Sequence, residues 1–151
     1  MSNKDYPYNI PRGFMFDVKV GTMNQVGEGM FQEVSGLNAT LGTEELKEGG
    51  VNLYTTRLPG RAKYDNLVLK RGLLVGSPLT TWVFDALQNF LIDPQPVQVR
   101  LIDEQKKPIV TWSIKNAYPV AIKTDPFRAM DNALAIESLE LAYTYFTRTN
   151  I

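Results

Sequence analysis

Ser77-Pro-Leu-Thr-Thr-Trp-Val-Phe-Asp-Ala-Leu-Gln-Asn-Phe-Leu-Ile-Asp-Pro94 decides how this chain is built. Ser77 is suited to cap free amides, and Pro78 fits a first helical position without losing a hydrogen bond. Leu79, Trp82, Val83, Ala86, Leu87, Phe90 and Leu91 recur at three- and four-residue steps and make one broad apolar face. The spacing predicts a helix over 78–92, stopped at Asp93-Pro94. No other stretch reads as a helix, so the order is strands, one helix, strands. That order predicts a mainly β fold, an antiparallel β-sandwich or barrel with one flanking α-helix.

Downstream of the helix, Val97, Val99 and Leu101 alternate with polar neighbours, and Val110, Trp112 and Ile114 do the same across the polar turn Asp103–Pro108. This is a hairpin. Ala117 to Pro126 is expected to be irregular, since Pro119 and Pro126 limit sheet pairing. The last strand is expected to be long. Leu134 and Ile136 are in one phase and Leu139, Leu141, Tyr143 and Tyr145 in the other, which predicts a bulge or bend at Glu137-Ser138.

Upstream, residues 1–12 carry prolines and tyrosines and read as an arm that orders on contact. Phe14, Phe16, Val18 and Val20 alternate as a half-buried strand. Gly21 to Gly29 is a turn region long enough for a hairpin, and Met30 to Leu37 is a second strand. Asn38 to Glu48 has β-like spacing but polar residues on both faces, with only Ala39, Leu41 and Leu46 apolar. It is either a wet loop or a strand whose partner comes from another copy. Pro59-Gly60 then presets a reversal, followed by a strand from Asn66 to Lys70. The basic run Arg57, Arg61, Lys63, Lys70 and Arg71 follows the acidic run Glu44, Glu45 and Glu48.

The chain has 151 residues, one domain's worth, 1–151. Sixteen basic and sixteen acidic side chains give zero formal charge, against the basic excess of a nucleic-acid binder. Cysteine and histidine are absent. Their absence removes thiol and imidazole metal ligands and the Ser-His-Asp and Cys-His triads. The amino-terminal residues lack an apolar h-region, and no window is long enough to span a bilayer, so neither ordinary export nor membrane insertion is expected.

Asp103-Glu104, Glu44-Glu45 and Glu137 with Glu140 are read as solvated surface rather than acid/base pairs. Trp82 and Trp112 are read as core. Gly60-Arg-Ala-Lys63 lacks the spacing of a phosphate loop. No catalytic, cofactor-binding or metal-binding residue is nominated, and no cofactor is expected. A polar strand without a partner, adjoining charge runs and zero net charge fit self-assembly by edge pairing and complementary charge. Two other functions stand beside that reading. One is a stand-alone β-barrel module binding sugar or oligonucleotide at Trp82 or Trp112, and the other is a carboxylate-dependent hydrolase.

Phe31-Gln-Glu-Val-Ser-Gly-Leu37, Leu46-Lys-Glu-Gly-Gly-Val-Asn52, Leu58-Pro-Gly60 with Lys63-Tyr64, and Asn66-Leu-Val-Leu-Lys-Arg-Gly72 together carry a resemblance. With Trp82, Thr111-Trp-Ser113 and Leu139-Glu-Leu-Ala-Tyr143, the chain resembles the inner-tube proteins of contractile bacteriophage tails and phage-tail-like contractile injection systems. Leu46 departs from the aromatic that family members often carry. The resemblance implies a structural subunit, not an enzyme. It implies hexameric rings that stack into a hollow tube inside a contractile sheath. Baseplate or hub and tube-terminating proteins would be further partners, with protein or DNA cargo in the lumen. It implies assembly in the bacterial cytoplasm, then residence in a phage tail or released particle. Residues 38–64 would then form an extended assembly hairpin or loop, with Thr40–Glu48 lining the lumen and Gly49–Lys63 reaching toward a neighbouring subunit or the next ring. Glu44, Glu45 and Glu48 are expected to meet Arg57, Arg61, Lys63, Lys70 and Arg71 across subunits.

Overall fold

The computed structural model describes residues 15–23, 31–50, 53–73, 75–130 and 135–150. The arm 1–12, Phe14, Met30 and Leu134 lie outside them. The described residues form β1 (Met15–Val20), β2 (Glu33–Ser35), β3 (Ala39–Leu46), β4 (Thr56–Tyr64), β5 (Leu67–Gly72), α1 (Pro78–Asn89), β6 (Gln95–Ile102), β7 (Pro108–Thr124), β8 (Ile136–Ala142) and β9 (Tyr145–Asn150). Pairing is antiparallel throughout. The main sheet runs β1-β6-β7-β8-β5-β2, and β9 adds to β7. β3 and β4 make a separate two-stranded sheet.

The main sheet folds over on itself through β7. The first part of β7 pairs with β6 and β9, and the second with β8. Between them, Asn116 takes a left-handed φ of 55°, and β7 gains a residue relative to β6 between the Val97–Ile114 and Gln95–Ala117 pairs. That bulge turns the strand from one layer into the other. Asn tolerates the left-handed region better than most residues, which suits it to the bulge. Val18, Val99 and Ile114 of one layer meet Leu67, Leu69, Leu139 and Leu141 of the other, and Leu79, Trp82 and Val83 of α1 close the cluster. The described residues thus form a mainly β sandwich with one helix.

Several sequence expectations change here. β7 continues through Ala117–Thr124 with Pro119 inside it, because a second bulge between Pro119 and Ala121 accommodates the missing N–H. β8 has no bulge at Glu137-Ser138. The break falls at Tyr143-Thr144, which separates β8 from β9. Glu137 was misread because it occupies the inward phase with Leu139 and Leu141. β1 and β2 do not form a hairpin; β1 pairs with β6 and β2 with β5. The helix ends at Asn89, not 92, because Phe90 adopts a left-handed cap (φ 53°) whose N–H returns to the Asp85 carbonyl. Ser77 caps its other end, accepting from the Thr80 amide at 3.1 Å.

Gly36 links β2 to β3. Its φ is +87°, and a Cβ there would overlap the carbonyl oxygen of Asn66. Both the left-handed backbone and the close approach require glycine. Gly36→Ala is expected to cost roughly 3 kcal/mol or more, from the backbone penalty and the displaced start of β5 together. Thermal unfolding followed by circular dichroism measures this.

Candidate assembly interface

β3 and β4 form a hairpin with almost no covering from their own chain. Seven of the eight β3 residues are exposed, as are six of the nine β4 residues. A lone two-stranded sheet in water is marginally stable at best. Both of its outer edges lack a strand partner among the described residues, so each presents a row of free N–H and C=O groups. The expected reversal at Pro59-Gly60 does not occur. Both residues lie within β4, Pro59 opposite Thr43, and the register slips between Leu41 and Thr43. The strands touch closely there: a Cβ on Gly60 would meet the Gly42 carbonyl oxygen at 3.2 Å, and one on Gly42 would meet the Arg61 oxygen at 3.2 Å. The irregular register removes the need for a Pro59 N–H, and the paired glycines let the backbones approach.

The root of the hairpin is fastened to the sandwich. The Asn38 side-chain amide donates to Asp65 at 3.0 Å, and the Asp65 backbone N–H donates to the Asn38 carbonyl at 3.3 Å. Tyr64, at the end of β4, stacks edge-on to Phe146 with ring centroids 5.2 Å apart and lies 5.9 Å from Tyr143. The hairpin is therefore held at its base and bare along its length.

The eight charged residues singled out in the sequence divide unequally. Glu44, Glu45, Glu48, Arg57, Arg61 and Lys63 are all exposed on the hairpin or its turn. Glu45 lies directly opposite Arg57, Glu44 opposite Leu58, and Lys63 opposite Thr40. Lys70 is on β5 and faces Glu33 of β2, 3.6 Å away, within the same chain. Arg71 is no surface cation. It is buried, and its Nε donates to Glu137 at 2.8 Å while one terminal nitrogen donates to Thr80 at 3.0 Å. Phe31 lies 5.9 Å from the guanidinium carbon. Arg71 thus ties β5 to β8 and to the start of α1, and its expected contact with another subunit is withdrawn. Extending the inward phase Leu67–Leu69 by one step reaches Arg71, and extending Leu141–Leu139 reaches Glu137. That shared phase was the signal in the sequence.

Sequence comparison decides the family. The model of the T4-like virus tail tube protein gp19 family matches residues 12–147. The chain belongs to that family. The tail tube chain is a structural protein of the inner tube of contractile injection systems. Its structure is similar to a chain in the cryo-EM structure of the anti-feeding prophage (AFP) baseplate, determined with six-fold symmetry. The TM-score is 0.81 and the identity 27%, covering 96% of this chain and 97% of that one. A chain of the sheath-tube complex of PVC, an extracellular contractile injection system in its extended state, matches with TM-score 0.80 and 24% identity over 100% and 99% of the two chains. A crystal structure of an Hcp protein shares the fold at TM-score 0.54 and 14% identity, covering 90% and 98%. No curated protein matches.

In this tail tube chain the hairpin also carries apolar residues that the charge pattern overshadowed. Leu41, Leu46, Leu53, Tyr54 and Leu58 are all exposed, Leu53 by 94%. Beneath the hairpin root, the Tyr143 hydroxyl is buried and finds no hydrogen-bond partner among the described residues. Burial pushes its phenol up to about 12, and the charges of Asp65 and Tyr64 add to the effect. Below pH 10 the phenol is neutral in folded and unfolded chains alike. Above it the unfolded chain ionises first, so this contribution to stability is lost as pH rises from about 10 to 12. Tyr143→Phe is expected to leave stability at neutral pH unchanged or up to about 1 kcal/mol higher, and to lessen the alkaline loss. Urea unfolding at pH 7 and at pH 11 checks both.

Proposed function

We propose that copies of this chain close into six-membered rings through the β3–β4 hairpin, and that the rings stack into a tube. The observation that carries this reading is the hairpin itself, which among the described residues is bare on both faces and unpaired on both edges. Its two edges differ, one from β3 and one from β4, so pairing β4 of one copy with β3 of the next is a head-to-tail contact. Such contacts close into rings when the rotation per step permits. The number six is drawn from the symmetry of the AFP assembly that contains the similar chain. A barrel of hairpins gives each exposed residue a place: one face turned to the subunit's own body, the other to the lumen.

Glu44, Glu45, Glu48, Arg57, Arg61 and Lys63 pair between adjacent hairpins in this reading, and the exposed leucines supply apolar contact. Sheath, baseplate and terminator proteins are its partners by analogy with the assemblies of similar chains. The tube conducts cargo and carries out no catalysis itself. It assembles in the cytoplasm and then forms part of a phage tail or an extracellular particle.

Negative-stain microscopy of purified protein tests this, with hollow tubes of six-fold cross-section as the expected outcome. A variant with Arg57, Arg61 and Lys63 changed to Glu should form no tubes alone. The same holds for a variant with Glu44, Glu45 and Glu48 changed to Lys. Mixed in equal amounts they should co-assemble, since alternating hairpins then carry opposite charge. Tubes from either variant alone would remove charge pairing from the mechanism. Failure of the unmodified chain to form any ring would remove the reading altogether.

A further inference from the structure

A groove of about 590 Å³ runs beside α1, where Trp82, Leu91 and Met23 supply apolar walls and Asp85, Asp93 and Gln95 polar ones. Both carboxylates accept hydrogen bonds from neutral amides alone, Asp85 from Asn89 at 3.3 Å and Asp93 from Gln95 at 2.8 Å. Neither forms an ion pair among the described residues. The groove therefore combines an aromatic floor with acidic groups that lack a cation.

Its position in the fold points to an occupant. β1 and β6 run antiparallel, with Met15 opposite Ile102 at one end and Val20 opposite Val97 at the other. Met23 and Gln95 place the groove at the Val20–Val97 end. The chain enters β1 at the Met15 end, one strand length away, about 20 Å at 3.3 Å per residue. The segment before Met15 reads Met-Ser-Asn-Lys-Asp-Tyr-Pro-Tyr-Asn-Ile-Pro-Arg-Gly-Phe. It carries Lys4 and Arg12 against the single acid Asp5, and it offers Tyr6, Pro7, Tyr8, Ile10 and Pro11. Aromatic-lined grooves accept proline-rich segments with little loss of chain entropy.

We propose that this groove receives residues 1–14 of the next copy in the stack. When subunits stack head to tail along β1, the Met15 end of one copy meets the groove end of the next. Fourteen residues reach up to about 46 Å, enough to cross the junction. Lys4 and Arg12 then face Asp85 and Asp93, and the tyrosines and prolines lie against Trp82 and Leu91. The inference rests on the stacked-tube reading and makes the amino-terminal segment the axial link between rings, while the hairpin is the lateral one.

The chain has no cysteine, so engineered pairs report cleanly. Proteins carrying Ile10→Cys alone and Thr81→Cys alone are assembled together, oxidised and run on a non-reducing gel. An interchain disulfide dimer is expected in the mixed tubes, at least about ten-fold above that in either protein alone. Tubes without that dimer overturn the inference. So does a doubly substituted protein that closes only within one chain. Absence of tubes from the unmodified chain overturns the tube reading instead. As an independent check, Asp85→Lys with Asp93→Lys should shorten tubes at least about ten-fold while leaving rings and melting temperature in place. Adding Lys4→Glu and Arg12→Glu should restore length, and no restoration would count against the pairing.

Discussion

A chain in which Thr43–Pro59 is replaced by Asn-Gly should fold normally and form no tubes. The dipeptide closes the shortened hairpin with a tight turn. Most of the removed residues are exposed in their own chain, so their loss from the monomer is small. Exposed surface changes usually stay within about 0.5 kcal/mol, and the melting temperature should move by no more than roughly 3 °C. Assembly is affected very differently. The deletion takes away four of the eight residues of β3 and four of the nine of β4, Leu46, Leu53, Tyr54 and Leu58, and four of the six charged residues proposed to pair. Tube yield by sedimentation and microscopy should fall at least about 100-fold, equivalent to about 2.7 kcal/mol per contact. Tubes of ordinary diameter from this variant would sink the proposed role of the hairpin. An unfolded variant would mean that the hairpin supports its own monomer more than its exposure indicates.

The second large effect belongs to the other kind of basic residue. Arg71→Met leaves Glu137 buried without its cation, and Glu137→Leu leaves Arg71 buried without its anion. Breaking a buried pair by removing one partner costs about 3–5 kcal/mol. In a domain of this size that lowers the melting temperature by on the order of 10 °C. The double variant Arg71→Met with Glu137→Leu should recover most of the loss, since apolar residues of similar volume often replace a buried pair at little cost. Ser77 and Thr80 also bond each other, at 2.9 Å, so α1 should keep its cap in each variant. Reversing Arg71 to Glu should unfold the monomer rather than only block assembly. Equal stability of wild type and single variants, measured by denaturant unfolding, would rule out this structural role.

Arg61 and Arg71 stand in the same basic run and look alike as sequence. Arg61 is exposed beside the Gly42–Gly60 contact, whereas Arg71 sits in the inward row of β5 opposite Glu137. Composition reports a charge but not the side of the sheet that bears it. That side is fixed by register between strands 66 residues apart in sequence. Pro59 makes a related point. In isolation Pro-Gly favours a turn, but here cross-strand pairing with Thr43 and the register slip beside it hold both residues in an extended strand. Pro119 was overridden in the same way within β7.

By itself the sequence determined the β class, the single capped helix, the two-sided polarity of residues 38–48 and the family, because these follow from local periodicity, capping chemistry and ordered motifs. The tertiary structure decided which charges are bare and which are bound within the chain, where β7 passes between layers, and that the hairpin stands uncovered. Each of these depends on contacts between residues far apart in sequence, where pairing and burial energies outweigh local preference.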